Sequence, residues 1–427
     1  MASETRIRTA LPMMNTELTI GRSGQRGAQA ASRSDAVVSR FEISVHDTVA
    51  SLEQEWRSLD ADVLNSLHQS YDWCAAWAQV HDSELLIIRG TFDGELLFIL
   101  PLEIVPGRLF NTARLIGAPH SNLNTGLFAT DTLPFSSAEF ANLLTRELNH
   151  HLRHKVDLVT LEKAPHDWRG TASPLASLPG VKHQNASFQL PLLSSFEKTL
   201  AQVNAKRRRK KMRISERRLD ALGGYDYVVA ENPQEAEALL DIFFRQKAVR
   251  FAALGLPDVF HDDRTRAFFH AIAGRRGVAD DRLLELNAIR LRGEHGGRIV
   301  AVAGLSRKAD HVICQFGSID EELAGDASPG ELLFYRMIER LCGKDATLFD
   351  FGVGDQPYKR SWCTIETPLR DILLPLTLRG RFAACYHRAV VRAKATVKAN
   401  KAVYAFLQRA RSRKTHTNRQ INEADSA

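Results

Sequence analysis

The sequence has no C-x-x-C pair, no apolar run near the ~18 residues that span a bilayer, and no acidic residue between Ile372 and Asn422. Each absence excludes something. The five cysteines (Cys74, Cys314, Cys342, Cys363 and Cys385) are scattered and odd in number. That argues against a disulfide framework and against a zinc site, and it fits a reducing cytosol. Neither a membrane span nor a secretory signal is expected. The acid-free stretch makes the charge lopsided. Residues 372–427 hold twelve Lys and Arg against Glu423 and Asp425, so +10 lies there and the other 371 residues of this +7 chain carry −3. The basicity belongs to a tail and says little about the main body.

At 427 residues, with 44% apolar and 25% charged side chains, the composition is that of a two-domain globular protein. Residues 1–38 lack a sustained period and read as a disordered leader. An α/β unit follows over 39–185. The strand "RFEISVH" leads into two helices, "TVASLEQEWRSLDADV" and the aromatic "SYDWCAAWAQV". The strands "ELLIIRGTF" and "ELLFILPLEIV" meet at Asp93-Gly94, a hairpin signal, and a helix and the strand "KVDLVTLEKA" close the unit. A second unit, 186–376, runs in similar order. It has one long basic helix ending at Gly223-Gly224, a strand, two helices, three consecutive strands, the helix "SPGELLFYRMIERLCG", and the strands "TLFDFGV" and "TPLRDILLPL". Residues 377–427 form a basic helical tail with Phe382, Tyr386, Val390, Ala393 and Val397 at helical spacing, as in a helix lying on a surface.

The stretch "FDFGVGDQPYKRSW" contains D-F-G and G-V-G. A kinase D-F-G works only with a V-A-I-K strand, an H-R-D loop and an A-P-E, and none is present. Gly352 and Gly354 are followed by Pro357 where a dinucleotide fingerprint needs its third glycine. Nucleotide binding does not account for this stretch. His150, His151 and His154 offer an i, i+4 pair without H-E-x-x-H or another ligand, so no metal is expected.

The element order, with "SYDWCAAW", the basic helix before "GGYDYVV", "FFRQKAVRFAALGLPDVFHD", "SPGELLFYRMIE" and "FDFGVGDQPYKRSW", resembles the cellulose-biosynthesis-type (CelD/BcsL) acetyltransferases, a GNAT group related to the Fem-type aminoacyltransferases. The resemblance covers about 39–376. It implies an α/β (α+β) fold of two tandem GNAT-like lobes, the second holding the recognisable site. It also implies acyl transfer from acetyl-CoA to an amine or hydroxyl of a sugar or polysaccharide precursor, in the cytoplasm or peripherally at the inner membrane. Two features depart from the pattern. The first-lobe turn reads "LIGAPHSNLNTG", with Asn122 and Asn124 in place of a carboxylate, and no acetyl-CoA loop of the form [RQ]-x-x-G-x-[GA] is recognisable.

Acyl transfer from a thioester needs a neutral nucleophile, polarisation of the carbonyl, and a proton for the departing thiolate. Tyr358 is the candidate general acid and Lys359 the charge-stabilising cation, with Asp350 or Asp355 orienting the lysine or taking a proton. Ser328, Pro329 and Gly330 open a helix, with Glu331 completing an S-x-x-E capping box, and such a terminus can hold phosphate. Gln315, in "HVICQFGSID", is placed with them on the donor side. Gln246 and Arg250, one helical turn apart, line the acceptor side by the resemblance, and Trp362 lies beneath the loop as a wedge against the acceptor region. His261–Asp263 reads as a cap for the next helix. Nine Lys and Arg between 206 and 218 could face tRNA, the donor of Fem-type enzymes, and that segment or 379–414 could face an anionic membrane. Two alternatives therefore stand: Fem-like transfer from aminoacyl-tRNA, and a non-catalytic accessory protein binding an anionic glycan or membrane.

Overall fold

The computed structural model describes residues 40–129, 133–278 and 281–399. The first lobe begins with β1 (Phe41–His46), α1 (Glu53–Asp60) and α2 (Tyr71–Val80). A meander of β2 (Leu85–Phe92), β3 (Glu95–Val105) and β4 (Thr112–Leu115) follows, then α3 (Ser137–Leu152) and β5 (Leu158–Pro165). The β2–β3 turn is the expected Asp93-Gly94, both at positive φ as a twisted two-residue hairpin demands. After β6 (Gly180–Lys182) and β7 (Ser187–Pro191), the basic helix α4 (Ala205–Asp220) leads to a second pass through the same order. That pass comprises β8 (Tyr225–Val229), α5 (Pro233–Leu254), α6 (Asp263–Ile272), β9 (Arg282–Leu291), β10 (Ile299–Lys308), β11 (His311–Ile319), α7 (Pro329–Leu341) and β12 (Leu348–Val353). The chain ends its described part with α8 (Pro357–Trp362), β13 (Ile365–Thr367), β14 (Leu369–Pro375) and α9 (Leu378–Ala399).

Where one long basic helix was expected there are two, Phe196–Ala201 and α4. Asn204 interrupts them because its side chain caps the second, accepting from Arg207 N at 3.0 Å. Asp262 caps α6 through Thr265 N at 3.0 Å, as the His261–Asp263 stretch suggested.

Each lobe is built on one sheet, in the orders β1-β2-β3-β4-β5-β14-β6 and β8-β9-β10-β11-β12-β7-β13. The sheets do not follow the chain division at 185 and 376. β14, expected to finish the second lobe, pairs antiparallel with β5 of the first, whereas β7 pairs antiparallel with β12 inside its own lobe. The apolar run in "LRDILLP" specifies a buried strand but not which strands flank it, so its partner could not be read from the pattern. The second unit thus lends its last strand to the first lobe's sheet.

Two hydrophobic cores lie within the lobes, against α3 and α7, and a third lies between them. There Trp73 and Trp77 of α2 pack edge-on against Phe268 of α6, with centroids 5.0 and 5.1 Å apart. Phe243 of α5 stacks on Phe316 of β11 at 4.0 Å. A buried charge crosses the same boundary: Lys308 Nζ lies 2.7 Å from Asp60 Oδ1 and 3.4 Å from Asp281 Oδ2. Among the described residues no helix is long and apolar enough to cross a membrane. Replacing Lys308 with Ala leaves two buried carboxylates without their cation. Stability should fall by about 3–5 kcal/mol, measured by urea unfolding.

Candidate active site

The site is organised by a sheet that comes apart. β11 and β12 run parallel and pair from His311↔Leu348 to Ile313↔Asp350, and no further. The register of β11 against β10 slips at the same level, with Gly304 opposite Phe316 and Leu305 opposite Cys314, so Gln315 is a bulged residue. The strands then diverge, and side chains from the first lobe bridge the gap. Asn122 Nδ2 donates to Gln315 Oε1 at 3.0 Å, and its Oδ1 accepts from Val353 N at 3.3 Å. His68 Nε2 meets Gln315 Oε1 at 3.1 Å, and Gln315 Nε2 donates to Ser306 Oγ at 3.0 Å. Burial holds the His68 pKa down at about 4, so the ring is neutral. Gly352 sits at φ +73°, and a Cβ there would stand 2.7 Å from Asn122 Oδ1. The Asn122 amide must both donate and accept, which a carboxylate cannot do. Asn124 has the same need, accepting from Gln69 Nε2 at 2.7 Å and donating to Glu162 O at 2.7 Å. This is the physical reason for asparagines in the turn "LIGAPHSNLNTG".

Beyond the bridge, helices bring titratable groups to the parted strands. From α8, Lys359 is buried and donates to the carbonyls of Gly352 (3.0 Å) and Val353 (2.9 Å); burial lowers its pKa. Tyr358 stacks on Phe334 with centroids 5.4 Å apart, and burial raises its phenol well above the usual range, so it remains a proton donor. From α5, Lys247 lies between Phe243 and Phe251, its ammonium 5.9 and 5.7 Å from the ring centroids. Burial, with the charges of Arg250 and Lys359 adding to it, lowers its pKa to about 8. Burial pushes the neighbouring Cys314 thiol up to about 12, leaving it inert.

Lys247 was passed over in the sequence in favour of its neighbours. The signal was there: positions 243, 247 and 251 form one i, i+4 row, a lysine set in a stripe of phenylalanines.

Asp350 is fully buried among Ser187 Oγ (2.9 Å), Gln189 Nε2 (3.1 Å) and Gly352 N (2.7 Å), with His311 Nε2 at 3.4 Å. Burial raises its pKa, but these donors outweigh it and the net shift is downward. It fixes β12 against β7 and has no route to a substrate proton. Asp355, expected to orient the lysine or take a proton, pairs with exposed Arg360.

The capping box at α7 does not form. Ser328 has φ +52° and makes no capping bond, while Pro329 is buried and Gly330 is wedged against Ile319. Glu331 turns to α4 instead. It pairs with buried Arg208, lies 3.2 Å from Lys211 Nζ, and accepts from Trp362 Nε1 at 3.0 Å. The Arg208 guanidinium lies 4.9 Å over the Trp362 ring. Trp362 is wholly enclosed and offers no face to an acceptor. The Arg–Glu pairing outcompetes the local cap because both partners are desolvated. Lys206, Arg207, Arg209, Lys210, Arg213 and Arg217 stand on the outer face of α4 with no ion pair among the described residues.

Gln246 and Arg250 line a cleft of about 430 Å³ together with Arg245, Val249 and Arg298. Gln246 is engaged by Ile299 O and Ser318 Oγ at 2.9 and 2.7 Å, and Arg250 pairs with Glu321. Gln315, expected on the donor side, belongs to the interlobe bridge. In the first lobe the equivalent split between β4 and β5 is filled by its own loop, where Lys163 Nζ donates to the carbonyls of Ala118 and Ser121, both at 2.7 Å. No group of three or more His, Cys, Asp or Glu among the described residues could hold a metal ion.

Asn122→Asp removes the donor to Gln315 and sets a carboxylate against its oxygen. We expect a loss of about 1–3 kcal/mol in thermal unfolding, with Asn122→Ser milder.

Residues 206–360 match the acetyltransferase (GNAT) domain family. The structure of FemX is similar at 15% identity and TM-score 0.54, over 78% of this chain and 97% of that one. A tandem GNAT protein from the clavulanic acid biosynthesis pathway aligns at 12% identity and TM-score 0.45, over 79% and 99% of the two chains. The C-terminal domain of a putative lysylphosphatidylglycerol synthetase from Agrobacterium fabrum aligns at 12% and 0.46, over 81% and 97%. No curated protein matches the sequence. Residues 206–360 therefore carry an acetyltransferase (GNAT) domain, the chain shares the fold of FemX, and it is an acyltransferase.

Proposed function

We propose that the second lobe transfers an acyl group, acetyl in the simplest case, from coenzyme A to an amine or hydroxyl at the parted ends of β11 and β12. The observation that carries this reading is the convergence of Lys247, Tyr358 and Lys359 on that split. A thioester supplies an activated acyl carbon, and the protein has to manage protons and charge around it. Lys247, part neutral near physiological pH, takes the proton of the attacking amine or hydroxyl as the new bond to the acyl carbon forms. Lys359 holds positive charge against the developing oxyanion. Tyr358 gives its proton to sulfur as the C–S bond breaks and regains one through Lys247 and solvent. The phosphates of a donor fit the unpaired cations of α4 better than the α7 terminus, where Pro329 is buried and Ser328 makes no capping bond. The cleft lined by Gln246 and Arg245, with acidic Asp320, Glu321 and Glu322 beside its arginines, suits a polar acceptor, in keeping with the sugar or polysaccharide precursor implied by the sequence resemblance. The five unpaired thiols suit a cytoplasmic setting.

Aminoacyl transfer from tRNA is the second reading, favoured by one observation. The exposed row of six cations on α4 is longer than a single coenzyme's phosphates require, and it has no aromatic partner for reading bases.

Calorimetric titration with acetyl-CoA is the test. Saturable binding, weakened at least about tenfold by the triple change Arg209→Glu, Lys210→Glu, Arg213→Glu, supports the coenzyme reading. Absence of binding by folded protein that still retains tRNA moves the donor to aminoacyl-tRNA. Lys247→Met should leave donor binding intact and lower turnover by about 10²–10⁴-fold. Because neutral Lys247 is the active form, the wild-type rate should rise with pH and level off above about 8, and the variant should lose that rise.

A further inference from the structure

Helix α9 packs on the first lobe with its small residues inward. Ala383 and Ala384 are buried with Leu158 of β5 and Leu373 of β14, and Val391 is buried two turns further on. Gly380 approaches so closely that a Cβ would collide with the Asp157 carbonyl. His387 Nε2 meets Asp371 Oδ2 at 3.2 Å and anchors the same side. The large apolar side chains point the other way: Leu378, Phe382 and Tyr386 are 71, 79 and 69% exposed. Burial of large apolar surface is what ordinarily orients a helix on a domain, so this helix is turned against its own hydrophobicity. The three residues stand four apart, one above the other, along about 12 Å of helix.

The charge around this stripe has one sign. At 100° per residue, Arg381, Arg388 and Arg392 run along one flank and Arg379 along the other. None of the four has an ion pair among the described residues. Six more Lys and Arg follow between 400 and 422 without an acidic residue. An aromatic–aliphatic stripe flanked by arginines, on a helix too polar to span a bilayer, is complementary to the headgroup region of an anionic membrane.

We propose that the outer face of α9 docks this protein on an anionic lipid surface, inserting Leu378, Phe382 and Tyr386 between headgroups that pair with the flanking arginines. This surface belongs to the first lobe and is independent of the acyl-transfer reading.

Co-sedimentation of the full chain with vesicles tests it. Binding is expected to vesicles containing phosphatidylglycerol and to be absent with phosphatidylcholine alone, weakening as salt rises. Phe382→Glu with Tyr386→Glu replaces only exposed side chains and should lower the bound fraction at least about tenfold with unchanged thermal unfolding. The Arg209→Glu, Lys210→Glu, Arg213→Glu protein should bind as the wild type does. The proposal is overturned if the wild type stays in solution, or if the α4 changes abolish binding while the α9 changes do not. It is equally overturned if light scattering shows a dimer that the α9 changes dissociate, since the face would then belong to a second copy.

Discussion

The second lobe depends on a pair of parallel strands that stops pairing after three residues. A sheet that opens in its interior exposes backbone donors and acceptors on both sides of the gap, and a protein interior tolerates few of these unpaired. Here the inner end of the gap is closed by a side-chain amide from the other lobe. Asn122 receives the Val353 N–H and donates to Gln315, taking the place of a missing rung. Everything else about the site follows from where that rung ends. The β12 carbonyls past it are free to hold Lys359, and the stretch of β11 past it is free to face Lys247. The lobes are therefore not two domains joined by a linker. One supplies a structural part of the other's active region, and β14, which follows the second lobe in the chain, completes the first lobe's sheet.

Charge is arranged with the same economy. Six titratable groups in or beside the gap are held away from their ordinary behaviour, and in five of them the cause is burial. It keeps His68 neutral, Tyr358 protonated, Cys314 inert and Lys247 part neutral. Asp350 is the exception, because three donors surround it and a carboxylate so satisfied stays ionised. Lysines lowered by burial suit proton transfer at neutral pH, whereas a carboxylate locked in hydrogen bonds suits support. That contrast moves the proposed proton acceptor from the aspartates to Lys247.

The helix terminus at Ser328 shows how a local motif can be overridden. S-x-x-E ahead of an apolar run is a sound signal for a capping box, and in isolation Glu331 would fold back on its own helix. In the folded chain Arg208 is buried directly opposite, and an unpaired buried guanidinium would cost more than a lost cap. Glu331 therefore serves α4, and Trp362 seals the pair from solvent.

Much was legible in the sequence: both α/β units, their shared order, the Asp93-Gly94 hairpin, and the C-terminal helix with its apolar and basic residues. These depend on periodicity and turn chemistry, which are properties of short segments. The acyltransferase character was legible too, through motifs that are themselves local. What only the tertiary structure decided was every relation between segments distant in the chain. The partner of β14, the bridge from Asn122 to Gln315, the enclosure of Trp362 and the exposure of Phe382 all rest on which surfaces meet. A hydrophobic pattern states that a face must be buried, but not against what. An ionisable side chain likewise acquires its pKa from neighbours that folding alone assembles.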